Sequence, residues 1–351
     1  MGKRLLLRGN EAIAEAAIRA GCQCYFAYPI TPQAELLGYM ALHMPRLGRT
    51  FVQAESEVAA ISMVYGAAGA GVRTMTSSSS PGISLKQEGI SYLAGSNLPA
   101  VIVNVVRGGP GLGNIAPSQC DYFQATKGGG HGDYRLIVLG PSTVPEAGEL
   151  TMLAFDLADQ YRIPVMILAD GLLGQMMEPV ELPDPVDPAT LPIKDWATTG
   201  AKNRAPNIVL SFDLDPEKLK QMNLDLQAKY RTITDNEIRY EETDTEDADI
   251  VIVAYGTIAR ICKSVVKTAR TEGIKIGLFR PITLWPFPYQ PLKALSERVH
   301  TVLSVEMSAG QMWEDARLAV AERAETPFFG EMGGIVPTPR SILDEVKKHV
   351  R

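Results

Sequence analysis

Over the first 178 residues, short apolar runs alternate with helical segments, and that alternation restricts the chain to an α/β fold with a mostly parallel sheet. Strand signals fall at 24–27, 51–52, 73–76, 100–106, 136–139 and 165–168. Between them the pattern predicts a helix opened by Asn10 as N-cap and stopped at Gly21, and another starting at Pro32 and reaching about His43. Further helices are predicted over 57–69, 84–95 and 145–161. After 178 the texture becomes proline-rich and weakly periodic, with one helix predicted over 216–229. Six acids occupy the nine positions 241–249, read here as a solvated face. A second α/β unit begins at Ile250, with strands over 250–254, 276–279 and 301–306. The expected organisation is a domain over 1–178, a connector over 179–249 and a second domain over 250–351.

Composition narrows function by exclusion. A net charge of −6 and a pI near 5.4 argue against nucleic acid, whose phosphates call for a basic face. No apolar run approaches the roughly 18–20 residues of a membrane helix, so no membrane association is expected and the composition fits a cytoplasmic enzyme. Cys22, Cys24, Cys120 and Cys262 form no C-x-x-C pair. The four histidines show no H-E-x-x-H spacing. No metal or iron–sulfur site is therefore expected in this chain.

Three segments carry candidate chemistry. Tyr28, Pro29, Ile30, Thr31 and Pro32 form a proline-pinned loop directly after a strand, with the Thr31 hydroxyl at its tip. Thr31 also fits an N-cap of the next helix, and the two roles are compatible. Glu57 heads a small-residue helix. A carboxylate there serves the helix dipole at least, while Glu55, two positions earlier, is expected to face solvent. Arg107 ends an apolar strand and opens a glycine-rich loop to Asn114. Ligands bind at the carboxyl ends of parallel strands, and a guanidinium can grip a carboxylate with two parallel bonds. The loop has neither G-x-G-x-x-G nor Walker spacing, which counts against a nicotinamide or flavin dehydrogenase. A lone His131 in a second glycine-rich stretch has no visible partner. Asp170 is another strand-end acid, but no Gly-Asp-Gly with a following Asn is present to hold magnesium diphosphate.

These segments together resemble the alpha-type subunit of thiamine-diphosphate-dependent 2-oxoacid:ferredoxin oxidoreductases. The likeness runs through the 28–32 loop, the Glu57 helix, the serine run from Ser77 to Gly82, Arg107–Asn114, and the later Tyr255, Gly256, Thr257 and Trp285–Pro288 segments. The wording around Phe51–Val58, Ser77–Glu88 and Gly128–Tyr134 is most similar to the branched-chain (3-methyl-2-oxobutanoate) branch. The resemblance implies a pyrimidine-binding domain and a transketolase-C-terminal-like domain. It implies that Glu57 contacts the aminopyrimidine, that Pro29 and Ile30 line the cofactor, and that Thr31 and Arg107 hold the substrate. It also implies partners: a beta subunit holding the diphosphate and magnesium, a gamma subunit, and a small ferredoxin-like subunit carrying the iron–sulfur clusters. Ferredoxin and coenzyme A would complete the reaction. A 2-oxoglutarate enzyme and a non-catalytic assembly subunit are the alternatives.

Overall fold

The computed structural model describes residues 4–351. The first unit runs β1 (Leu5–Arg8), α1 (Gly9–Arg19), β2 (Cys24–Ala27), α2 (Ala34–His43), β3 (Thr50–Gln53), α3 (Glu57–Gly69), β4 (Thr74–Ser78), α4 (Pro81–Gly95), β5 (Ala100–Val106), α5 (Tyr122–Thr126), β6 (Ile137–Leu139), α6 (Val144–Tyr161), β7 (Pro164–Asp170), α7 (Gly171–Gln175) and β8 (Met177–Val180). Then follow α8 (Pro216–Asn236), β9 (Tyr240–Thr243), β10 (Ile250–Val253), α9 (Gly256–Thr271), β11 (Ile276–Pro281), β12 (Thr283–Trp285), α10 (Tyr289–Ser296), β13 (Thr301–Glu306), α11 (Gln311–Val320), β14 (Phe328–Gly330) and α12 (Pro339–Lys347).

The main sheet has seven strands in the order β12-β6-β7-β5-β4-β2-β3, parallel except for β12. Its centre, β5 and β7, is buried along its whole length, as strands covered on both faces must be. One side is covered by α1, α2 and α6 and the other by α3 and α4. The second sheet, β14-β13-β10-β11-β9, is parallel except for β9. β12 leaves the second unit and adds antiparallel to β6, so the later chain completes the first sheet.

Several expectations need correction. Asn10 is not an N-cap: it sits in the first turn of α1, where Glu11 accepts the main-chain N–H of Arg8 at 2.9 Å instead. Asn10 donates its amide to the Pro32 carbonyl and to Glu35, both at 2.8 Å, and so fastens the 28–32 loop. Helix α2 begins at Ala34, not Pro32, because the Pro32 carbonyl is taken by Asn10 and the Gln33 side chain is turned inward. Thr31 therefore caps nothing. The serine run is less of a turn than expected, since Ser77 and Ser78 belong to β4 and α4 opens at Pro81. The acidic run is also not wholly solvated. Glu241 and Glu242 lie in β9, and Glu241 bonds Arg280 at 2.9 Å and Lys263 at 2.6 Å.

Candidate active site

The site collects at the carboxyl ends of β2, β4 and β5, where a parallel sheet leaves its loops. Ser56 caps α3 by accepting from the N–H of Ala59 at 3.1 Å, which fixes where Glu57 leaves the backbone. Glu57 is 7% exposed, and among the described residues its carboxylate takes neither a hydrogen bond nor an ion pair. Its oxygens are not among the fully enclosed polar atoms, so the carboxylate can still be reached by a ligand. Glu55 is exposed, as expected. Glycine at position 82 lets α4 come this close. A Cβ there would stand 2.8 Å from Glu57 Oε1 and 2.1 Å from Ser78 Oγ.

Ser80 joins Glu57's surroundings to Arg107. Its φ of 27° is uncommon for a side-chain-bearing residue. Three contacts hold it there. Its N–H donates to Asn104 Oδ1 at 3.1 Å, its hydroxyl accepts the Arg107 N–H at 3.0 Å, and the same hydroxyl lies 3.3 Å from the Arg107 carbonyl. The Arg107 guanidinium donates from Nη1 to the Thr31 carbonyl and from Nη2 to the Leu112 carbonyl, each at 3.0 Å. Its Nε is buried without a partner. Arg107 is thus a clamp on two loops as well as a cation, and its fork is not wholly free for a ligand. Thr31 is exposed and meets Arg107 through its carbonyl, while Pro29 is exposed and Ile30 half-buried beside it. The structure therefore brings Thr31 and Arg107 into contact, with Glu57 reached through the Ser78–Ser80 segment.

Three further side chains help to build the site and are not evident from the motifs. Gln33 is buried, donates to the Tyr28 carbonyl at 3.4 Å and accepts from the Ser77 hydroxyl at 2.5 Å, which in turn accepts from Tyr25. Lys86 is fully buried. Ser80 is the third. A lysine inside the helical stripe Ile83, Lys86, Gln87 and Ile90 was the visible clue, because lysine on a core face needs a reason. Asp170 has a structural role instead: it caps α7 through the N–H groups of Leu172 and Leu173. Burial raises its carboxyl above the usual range. His131 is exposed.

A cleft of about 470 Å³ opens between the units, lined by Ser80, Gly108, Cys120, Gln124, Ser308 and Gln311 among others. Glu57 does not line it. The four cysteines are free, and among the described residues no three His, Cys, Asp or Glu side chains cluster to hold a metal. Among the same residues no helix is long and apolar enough to cross a membrane.

The family model described as pyruvate flavodoxin/ferredoxin oxidoreductase, thiamine diphosphate binding, matches residues 15–252. The chain belongs to this family. A second model, the pyruvate:ferredoxin oxidoreductase core domain II, matches residues 248–342. The family identified from the sequence motifs is thus the family found, and with it the α/β fold with a thiamine-diphosphate-binding domain. The chain is 54% identical over 98% of its length to the ketoisovalerate oxidoreductase subunit VorB of Methanothermobacter marburgensis, covering 97% of that protein. It is 37% identical over 99% of its length to the 2-oxoglutarate synthase subunit KorA of Methanothermobacter thermautotrophicus, covering 99% of that protein. By structure it is similar to the 2-oxoglutarate:ferredoxin oxidoreductase of Magnetococcus marinus, solved with 2-oxoglutarate, coenzyme A and succinyl-CoA bound. The TM-score is 0.90 at 27% identity, and the chain, matched over 100% of its own length, spans 66% of that chain.

Three features fit the pyrimidine end of thiamine diphosphate. Glu57 is largely buried and makes no hydrogen bond or ion pair among the described residues, the adjacent Ser78 and Ser79 hydroxyls are buried without partners, and glycine at 82 lets α4 pack beside the carboxylate without displacing it.

Proposed function

We propose that this chain is the pyrimidine-binding subunit of a 2-oxoacid:ferredoxin oxidoreductase that converts a branched-chain 2-oxoacid, 3-methyl-2-oxobutanoate, to its acyl-CoA and CO2. The observation that carries the reading is the unpartnered, buried Glu57 at the head of α3 in a thiamine-diphosphate-binding domain. The chemistry the cofactor supplies is a carbon nucleophile for the keto carbon and an electron sink for decarboxylation. Glu57 holds the proton at pyrimidine N1′, with Pro29 and Ile30 beside the ring. Arg107, through Nε and its remaining N–H groups, and Thr31, through its hydroxyl, hold the substrate carboxylate and carbonyl. The diphosphate and magnesium are assigned to a beta subunit, since this chain has no Gly-Asp-Gly motif for them. Iron–sulfur clusters are assigned to a small ferredoxin-like subunit, beside a gamma subunit, with ferredoxin and coenzyme A as acceptors. The whole assembly is placed in the cytoplasm.

Substrate choice rests on two supports. One is the 54% identity to a protein named for ketoisovalerate. The other is charge: residues 28–33 and 108–118 contain no lysine or arginine. Arg107 can pair with the shared 1-carboxylate, but a second carboxylate left unpaired on burial would cost several kcal/mol. The apolar side chains in these loops do not form a closed pocket in this chain alone. Leu112 is 81% and Ile115 64% exposed. The second reading, 2-oxoglutarate, draws on the KorA relative and the Magnetococcus enzyme and needs a base from a partner chain. The test compares kcat/KM for 3-methyl-2-oxobutanoate, pyruvate and 2-oxoglutarate in the reconstituted complex with ferredoxin as acceptor. The branched substrate should lead; a clear lead for 2-oxoglutarate would overturn the substrate while leaving the reaction class.

A further inference from the structure

Lysine is almost never fully buried without an acidic partner, yet Lys86 is 0% exposed and makes no ion pair among the described residues. Its ammonium group donates to Thr76 Oγ1 at 2.5 Å and to the Ser77 carbonyl at 3.0 Å, both on β4. Packing alone does not call for it, because a methionine would fill the same stem space without a charge. Its position on α4 supplies a reason. Gly82, where a Cβ would stand 2.8 Å from Glu57 Oε1, lies four residues earlier and so on the same face of the helix. Ser77, which takes the amine, is followed by Ser78, whose hydroxyl stands over Gly82.

We propose that Lys86 is a positioning residue for Glu57: a buried amine that stands behind the carboxylate as its counter-charge and acts on the cofactor only through it. The inference rests on the reading of Glu57 given above.

The electrostatics agree with the geometry. Burial lowers the Lys86 amine to about 7, and the Glu57 carboxylate opposes that fall. Four titratable groups in neighbouring segments have hydrogen-bond partners of their own. Tyr25 on β2 is bonded to Ser77, Tyr134 to Gln87, Arg107 to the Thr31 and Leu112 carbonyls, and Asp170 on β7 to Leu172 and Leu173. Among the described residues, Glu57 is the carboxylate that opposes the lowering of the amine. On this proposal, loss of the Lys86 proton would remove the counter-charge of Glu57.

The direct test needs no cofactor. In the full chain labelled with 15N-lysine, one buried amine should titrate near neutral pH and be missing from Lys86→Met. In Glu57→Gln that midpoint should fall by about one unit or more, the effect of removing a nearby opposite charge. An unmoved midpoint overturns the proposal, as does a Lys86 amine that titrates like an exposed lysine. Should Lys86→Met not fold, the wild-type and Glu57→Gln titrations decide alone. In the reconstituted complex, the pH profile of exchange at the cofactor C2 proton should show an inflection near neutrality in wild type and lose it in Lys86→Met. A coupled pair without any effect on that exchange would refute the role towards the cofactor. Failure of the Glu57 assignment shows separately, as unchanged exchange in Glu57→Gln.

Discussion

Arg107 holds Thr31 by its carbonyl, not by its hydroxyl: Nη1 lies 3.0 Å from the main-chain oxygen. This separates two variants that sequence reasoning treats alike. Thr31→Val removes the hydroxyl and leaves the loop clamp intact. Arg107→Lys keeps a charge but loses the planar fork that reaches Thr31 and Leu112 together. Each should lower kcat/KM by about 10- to 150-fold, the worth of one hydrogen bond to a charged group at about 1.5–3 kcal/mol. Only Arg107→Lys should also lower the urea midpoint of the isolated chain. Wild-type kinetics in both variants would move the substrate site elsewhere.

Gly82→Ala should disturb Glu57 with the fold intact. Its Cβ would fall 2.1 Å from Ser78 Oγ and 2.8 Å from Glu57 Oε1, so both side chains must move. Gly89→Ala is the matched control on the same helix, with its Cβ 2.6 Å from Ile61 and away from the carboxylate. Overpacking should cost each about 1–3 kcal/mol in urea denaturation. Weaker thiamine diphosphate binding by the reconstituted complex is expected for Gly82→Ala alone. Equal binding losses in the two would contradict the placement of Glu57.

Much of this was legible in the sequence because strand and helix periods are local. The apolar run Ala100–Val106 and the helix Glu57–Gly69 have the bounds their patterns predict. What was not legible depends on contacts distant in sequence. Asn10 looks like a cap until its amide is seen on Pro32, 22 residues away. The acids at 241 and 242 look solvated until β11 appears beside them. β12, only three residues long, has no pattern of its own and is defined by pairing with β6. Within the site, the contact of Arg107 with Thr31 joins residues 76 apart. The buried state of Lys86 follows from a helix face, which the pattern did contain.

Lys86 should also leave a mark on stability. Its folded value of about 7 lies below the ordinary 10.5, so between those limits the unfolded chain binds more protons. Stability therefore rises with pH across that window, and the full penalty of a buried charge is present below it. The difference in urea midpoint between wild type and Lys86→Met should accordingly favour the variant at pH 6, about one unit below the folded value, and shrink or reverse by pH 9, about two units above it. A constant difference would mean that the amine does not titrate in the native chain.

The chain alone should bind thiamine diphosphate weakly and carry no iron. The proposed function gives it the pyrimidine end only, and it lacks a Gly-Asp-Gly motif for the magnesium diphosphate. Calorimetry with and without magnesium, then with the co-purifying partners added, checks this. Tight magnesium-dependent binding by the isolated chain would place the whole cofactor site here instead.

The central claim is that Glu57 holds the proton at the cofactor's pyrimidine N1′, and hydrogen–deuterium exchange at the cofactor C2 in the reconstituted complex tests it most directly. Glutamine keeps the size but cannot share that proton. Glu57→Gln should slow exchange by about 100-fold or more, the usual worth of a positioned acid–base group, while exposed Glu55→Gln should stay close to wild type. Exchange at the wild-type rate in Glu57→Gln would contradict the account.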